Sequence, residues 1–473
     1  MFKRKSNFDW KSFIKSVAVI AVPVALQNLL TTTGSMVDTV MIASLGETSV
    51  GAVGLCAQFS SLMFAGYWGF VGGGMLFFSQ YWGAKDHDGI CRSYGMTLCC
   101  MMLVALLFGS AAVFFPEKIM FVYTDKPAIQ AIGTEYLRIV GWAYPLQIFS
   151  MAMSALLRST ERVKLPMYGA LASVLTNIAL NLLLINGYWG FPAMGIRGAA
   201  VATVCAAVVN AAVIWVLAAV KRHPHLFQFR RHFCWTRETL RAYLRKCFPI
   251  ICNEVLIGVG NMVINMVLGR QSEQAIAATA VFRTLEGLVI GFFAGFSNAS
   301  SVLVGKAVGA GELERADACA KRLVYMCGGF ILLCCLGIFS AHRPLLTAMS
   351  LSGESYTIGV GTLAVYCVAA VIRMCNWVQN DTFRAAGDAA FGTILEITFM
   401  YAMVLPCVYL TGMRLQAAFL IIFACCYIDE PIRFILMHCH LYSGKWIRPV
   451  TPQGKDALPA FRQARAKRRG AKM

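Results

Sequence analysis

The chain has 473 residues, of which 58% are hydrophobic and only 14% charged, and its mean hydropathy is +0.64. A water-soluble domain carries roughly a quarter of its residues as charges, which excludes the ordinary soluble enzymes and binding modules. The formal net charge of +19 raises the question of a nucleic-acid partner, and the placement of that charge answers it.

In a bilayer core backbone polar groups must pair internally. Continuous apolar runs of ~20 residues or more then suit helices, whereas barrel strands would alternate over ~10. In chain order, spans are predicted at 13–42, 51–79, 93–117, 133–157, 166–188 and 194–219, then at 247–269, 275–306, 322–342, 358–383, 391–411 and 413–440. The first follows a basic start, is too long for a signal-peptide core and carries Asp38 without a small-residue cleavage site, so it reads as a retained helix. With the N-terminus inside, most Lys and Arg fall on cytoplasmic segments, as the positive-inside rule requires. These are the start (Lys3, Arg4, Lys5), the middle (Lys221 to Lys246) and the end (Arg462 to Lys472). That pattern explains the basic balance without nucleic acid, for which no base-reading module is visible. It also leaves the basic tail free to touch anionic membrane lipids. The expected organisation is an N-terminal six-helix lobe over 1–220, a cytoplasmic linker over 221–246 and a C-terminal six-helix lobe over 247–442. A basic cytoplasmic tail follows over 443–473. The expected location is a bacterial cytoplasmic (inner) membrane, with both termini cytoplasmic.

The 18 cysteines scatter along the apolar runs with no CxxC spacing, so they read as small membrane-helix residues rather than a disulfide or zinc framework. His438, Cys439 and His440 form the one metal-like cluster, at the end of the last helix, and no metal site is predicted.

The two halves match at one offset. Pro23 and Pro249, Glu47 and Glu273, Gly83 and Gly309, and Arg158 and Arg384 each stand 226 positions apart, and ETSVGAVGL at 47–55 faces EQAIAATAV at 273–281. A gapless match over ~135 residues indicates duplication. Six spans per copy keep both copies in one orientation. This predicts an all-α membrane protein of twelve transmembrane helices, in two parallel-repeat lobes with a substrate path between them.

Polar stripes interrupt the apolar helices, and a charged side chain at that depth costs several kcal/mol. In helix 1, Gln27, Thr31, Gly34 and Asp38 share a face, and Pro23 on the same helix removes a backbone donor and offers a hinge. Helix 5 repeats the pattern with Ser173, Asn177 and Asn181. If those faces meet, Asp38 and the two amides surround a small polar cavity able to take a proton or a sodium ion; otherwise Asp38 is a satisfied packing residue. In helix 7, Glu254, Gly258, Asn261 and Asn265 form a second stripe, and Arg373, Asn376 and Asn380 share a face of helix 10. Glu254 and Arg373 either neutralise one another or form a second proton or substrate-cation site.

Several segments carry a resemblance. AVPVALQNLLTTTGSMVDTVMIASLGETSVGAVGL at 21–55, LRSTERVKLP at 157–166, NIALNLLLINGYWGFPAMGIRGAAVAT at 177–203, VLVGKAVGAGELERA at 302–316 and DTFRAAGDAAFGT at 381–393 resemble the MATE (multidrug and toxic compound extrusion) family, in its order. The resemblance implies a secondary transporter that exports small amphipathic organic cations in exchange for H+ or Na+ by alternating access. It implies coupling roles for Asp38, Asn177 and Thr203, and a bend at Pro23. Two positions depart from the family pattern: Asn181 stands where ion-coupled members often have Asp, and Arg373 stands where the sodium-coupled branch has an acidic residue on helix 10. Glu254 also lies about one turn earlier than that branch's helix 7 Glu. The alternative within the same superfamily is a lipid-linked precursor flippase, which would line its cleft with more basic residues than the three seen near membrane depth, Arg138, Arg283 and Arg373. An enzyme is not expected, since no HExxH, GxSxG or paired carboxylates on one helix occur, and no channel filter is visible. The expected partners are a small-molecule substrate and membrane lipids, with no nucleic acid and a monomeric state. No cofactor is expected beyond the coupling ion.

Overall fold

A computed structural model describes residues 9–349 and 351–470. Lys3, Arg4, Lys5 and Lys472, named above as basic segments, lie outside the described residues. The described residues are almost entirely helical and include no strand.

Six helices build the first lobe: α1 Trp10–Ala43, α2 Glu47–Ala84, α3 His87–Phe114, α4 (Pro127–Val140 and Ala143–Ser159, bent by 49°), α5 Lys164–Asn186 and α6 Ile196–Val220. The second repeats them: α7 Arg237–Leu268, α8 Glu273–Gly309, α9 Leu313–Ser340, α10 Gly353–Ala385, α11 Ala389–Arg414 and α12. Ten of these are long and apolar enough to cross a membrane as single helices, and α4 makes an eleventh crossing as a bent pair. The twelfth, α12, is broken into Phe419–Cys425 and Glu430–Ser443. A break inside a bilayer is tolerated only where it lines a protein cavity, and this one does. The tail forms α13, Pro452–Gly470, whose Arg465 pairs with Asp317 of α9 at 3.0 Å.

Local chemistry sets the boundaries. Asp9 caps α1 by accepting from Ser12 N at 3.1 Å, and Asp86 caps α3 through Gly89 N at 2.8 Å, each satisfying a donor that the first turn leaves free. Thr236 and Thr239 form a reciprocal capping box at the start of α7. Both α1 and α7 run uninterrupted through their prolines, Pro23 and Pro249. Residues 400–404 and 410–414 of α11 are π-helical, a local widening frequent at functional sites.

With twelve crossings, the start of α1 and the end of α12 lie at one face, here called the base; the opposite face is the mouth. The lobes exchange contacts at the base. Phe13, Val17, Ile20 and Val24 of α1 join the apolar core of the second lobe, while Tyr243 and Cys247 of α7 pack on Leu76, Phe77 and Met96 of the first. A Cβ on Gly83 would sit 1.9 Å from the Lys306 carbonyl oxygen, and one on Gly309 would sit 1.9 Å from that of Gln80. Only glycine permits α2 and α8 to cross this closely. Lys306 reaches both carboxylate oxygens of Glu161 at 2.7 and 2.8 Å, and Gln80 Nε2 donates to the Ala385 carbonyl at 2.8 Å. The cross-lobe bonds thus gather at the base, where the lobes close on one another.

Candidate functional site

The α1 and α5 stripes meet inside the first lobe. Asn181, fully buried on α5, donates from Nδ2 to Asp38 Oδ1 at 2.6 Å and approaches Asn177 Oδ1 at 3.2 Å. Gly34 lets the helices approach, since a Cβ there would lie 2.9 Å from Val174. Thr203 of α6 bonds back to the Ala199 carbonyl at 3.0 Å, and Tyr136 of α4 stands beside both Thr203 and Asp38. Asp38 forms no ion pair among the described residues, and Asn181 Oδ1 is buried without a donor. Four helices therefore converge on one half-buried carboxylate whose partners are amides and hydroxyls.

Gln27, from the same α1 stripe, does not join them. Its Oε1 accepts from the buried guanidinium of Arg158 at 2.9 Å, near the base.

The second lobe holds a chamber of about 560 Å³ lined by five carboxylates (Glu254, Glu286, Glu396, Asp429, Glu430) and three arginines (Arg283, Arg373, Arg433). Arg373 Nη1 and Arg283 Nη1 each donate to Glu286 at 2.8 Å, and Arg283 also reaches Asn265 Oδ1 at 2.8 Å. The Arg373 guanidinium lies over Trp377 and Tyr427, 4.8 and 5.4 Å from the ring centroids. Arg433 bonds to Asp429 at 3.0 Å and to Glu396 at 3.4 Å. Asn376 holds Glu430 at 2.7 Å, and Asn253 and Asn380 each hold Glu396 at 3.2 Å. Asn261 lines the same chamber.

Of the two readings of Glu254 and Arg373, mutual neutralisation does not occur. Arg373 is taken by Glu286, and Glu254 turns toward the base, 3.5 Å from Arg384. The reason is register: Glu286 on α8 faces Arg373 directly, whereas Glu254 sits two turns nearer the base than Asn261. A smaller cavity of about 110 Å³ between the lobes is lined by Glu254, Arg158, Asp381 and Arg384, so Glu254 borders both spaces. The count of three basic residues near membrane depth is also corrected. Arg158 and Arg433 are buried, whereas Arg138 is more than half exposed beside Glu117. The sequence reading missed Glu286, Glu396, Asp429, Glu430 and Arg433. Each is an ionisable residue inside a predicted span, the signal that marks intramembrane sites, and the Asp429-Glu430-Pro431 run marks the break in α12. In the His438–Cys439–His440 cluster the two imidazoles diverge, His440 to Asp388 at 3.0 Å and His438 to Tyr325 at 3.2 Å.

Two six-helix lobes that close at one face around buried polar sites are the architecture of a membrane transporter, not an enzyme. The chain belongs to the MatE family, whose model matches residues 23–183 and 249–410, one stretch in each lobe. It is 25% identical to the probable multidrug resistance protein YoeA of Bacillus subtilis, over 83% of this chain and 85% of that one. It is 27% identical to the probable multidrug resistance protein NorM of Rhizobium meliloti, over 69% and 70%. Its fold matches a MATE crystal structure in complex with MaL6, with a TM-score of 0.82 at 18% identity over 91% of this chain and 97% of that one. It also matches a mutant of the Vibrio cholerae MATE transporter VcmN, with a TM-score of 0.83 at 16% identity over 92% and 97%.

Proposed function

We propose that this protein exports small, amphipathic organic cations across a bacterial cytoplasmic membrane in exchange for H+ or Na+, with its base and both termini in the cytoplasm. The observation that carries the proposal is Asp38, a carboxylate with no cationic partner among the described residues, on which four helices converge. Its chemistry suits a coupling ion. Ionised, Asp38 accepts from Asn181 Nδ2; protonated, it has a proton to give, and Asn181 Oδ1 is an acceptor still lacking a donor. A sodium ion would instead draw on Asp38 and the Asn177 and Asn181 oxygens, a set with only one full negative charge. Either ion neutralises Asp38 and alters the α1–α5 contact, with Pro23 as the place where α1 gives way. A differential affinity of a few kcal/mol between mouth-open and base-open states suffices to drive the cycle.

The substrate class follows from charge. With Glu254 paired to Arg384, the second-lobe chamber still has four acids against three arginines, a surplus that favours a cation and opposes the pyrophosphate of a lipid-linked precursor. Glu254, Asn261, Asn265 and Arg373 border that space, with Asn376 and Asn380 holding its carboxylates in place. The names of YoeA and NorM, as probable multidrug resistance proteins, agree with drug export. The protein is taken to act as a monomer.

The test is accumulation of a fluorescent organic cation in a pump-deleted bacterial host, comparing wild type with Asp38→Asn at equal expression. Wild type should lower accumulation and the variant should not; collapsing the proton and sodium gradients separately identifies the ion. Efflux that survives Asp38→Asn refutes the coupling role, and a wild type inactive across a panel of cations refutes the substrate class.

A further inference from the structure

At the base, α7 begins about three turns before its apolar stretch. Its inner side is fully occupied: Tyr243 and Cys247 are buried, and the Tyr243 hydroxyl donates to Thr97 Oγ1 at 2.9 Å. Its outer side carries Arg237, Arg241 and Arg245 at successive intervals of four, one exposed stripe along a helix face. None of the three makes an ion pair or side-chain hydrogen bond among the described residues. Directly below them, Leu244 and Phe248 are 39% and 67% exposed.

This face borders a crevice of about 930 Å³, whose far wall is the start of α11 and Arg448. Lys246 lies within it and donates to the Gly387 carbonyl at 2.7 Å. Four basic residues of the crevice, Arg241, Arg245, Lys246 and Arg448, thus meet two acids, Glu238 and Asp388. Asp388 is already committed, to His440 at 3.0 Å and to Arg448 at 3.1 Å, so it does not cancel the stripe. Arginine forks match phosphate oxygens in pairs. A stripe of such forks one turn outside an apolar span, with an exposed phenylalanine beneath it, has the polarity profile of a phospholipid: an anionic head above, a chain below.

We propose that the crevice between α7 and the start of α11 binds the phosphate of an anionic phospholipid, with Arg241 and Arg245 holding the headgroup, Arg237 extending the stripe on the adjoining outer face of α7, and Phe248 meeting the acyl chain. The site differs from the tail expected to meet lipid, where Arg465 is turned inward onto Asp317. The cytoplasmic leaflet as its location rests on the orientation given above. Lipid binding itself is read without transport, so either idea can fail alone.

The experiment is native mass spectrometry of the full chain in detergent, titrated with dioleoylphosphatidylglycerol, dioleoylphosphatidylcholine or inorganic phosphate. Each arginine near an anionic group is worth about fivefold in affinity. The triple variant Arg237→Ala/Arg241→Ala/Arg245→Ala should therefore lose at least about tenfold in phosphatidylglycerol binding. Phe248→Ala, which removes no charge, should lose on the order of tenfold. The tail variant Lys455→Ala/Arg462→Ala/Lys467→Ala should bind as wild type does. Equal binding by wild type and the α7 triple variant overturns the site. Displacement of the lipid by inorganic phosphate alone, or equal retention of phosphatidylcholine, overturns the assignment to an anionic phospholipid.

Discussion

Gly83→Ala tests whether the α2–α8 crossing is the base gate. The new Cβ would lie 1.9 Å from the Lys306 carbonyl oxygen and 2.9 Å from Lys306 Cα. Ordinary contact needs about 3.5 Å, so the two helices must part by about 1.5 Å, and the obstacle is backbone that no rotamer change relieves. Parting strands the bonds made by Gln80, which donates to Ala385 O and accepts from Val450 N, each at 2.8 Å. A net loss of about 1 kcal/mol for each is ordinary. The Glu161–Lys306 pair is about one-third to two-fifths exposed and adds at most about 1 kcal/mol. The base-closed state is thus weakened by roughly 2–3 kcal/mol, a shift of about 30- to 150-fold toward base-open forms. Hydrogen–deuterium exchange of the protein in nanodiscs reads this directly. Segments 84–90, 158–164 and 309–313 should exchange faster, while the α5–α6 pair, remote from the crossing, stays protected and reports an intact fold. Gly309→Ala should do the same, since its Cβ meets Gln80 O at the same distance. Unchanged exchange at these segments, with transport intact, would refute the gate.

Arg433→Met removes a guanidinium held by Asp429 and Glu396 and 3.8 Å from Glu430. Leaving buried charge uncompensated typically costs 3–5 kcal/mol. A clear drop in the thermal unfolding midpoint is expected, with partial recovery in Arg433→Met/Glu396→Gln; strict additivity of the two changes would show that they are not coupled. The linker imidazoles give a pH dependence. Burial, with His225 and Arg162 near His223 and His87 and His232 near His225, lowers both pKa values from 6.5 to about 4. The unfolded chain therefore binds more protons between these values. Stability is complete above about pH 6.5 and falls as pH drops toward 4. His223→Gln/His225→Gln should flatten the melting profile over that window, and a profile identical to wild type would remove these residues from it.

The fold was legible because duplication, hydropathy and the charge of the loops all point the same way. The α1–α5 contact was legible too: spacings of four and three place Asp38 and Asn181 on faces that have one partner to meet. The second lobe was harder. Reading 413–440 as one helix conceals a break at 426–429, and a continuous helix gives Glu430 and Arg433 no reason to face inward. Arg373 could be paired correctly only by knowing that α8 presents Glu286 opposite it, which depends on helix rotation and not on spacing within either helix. Likewise the linker residues His223 and His225 look like solvated loop until Thr160 and His87 are seen beside them, at 3.1 and 3.4 Å.

The crossing at the base has a further consequence. Gly83 meets the residue 306 carbonyl and Gly309 meets that of residue 80, and in the repeat Gly309 answers to Gly83 as Lys306 answers to Gln80. Each half therefore carries both surfaces of the same contact, the condition for a self-complementary patch of the kind that joins two-fold homodimers. A single six-helix half already bears everything needed to pair with a copy of itself in the same orientation. What such a half lacks is the difference between partners: Glu161 answers to Gly387, Lys306 to Gln80 and Asp38 to Ile264. Within one chain, one half carries the Asp38 carboxylate and the other the charged chamber, while the glycine crossing between them stays symmetric.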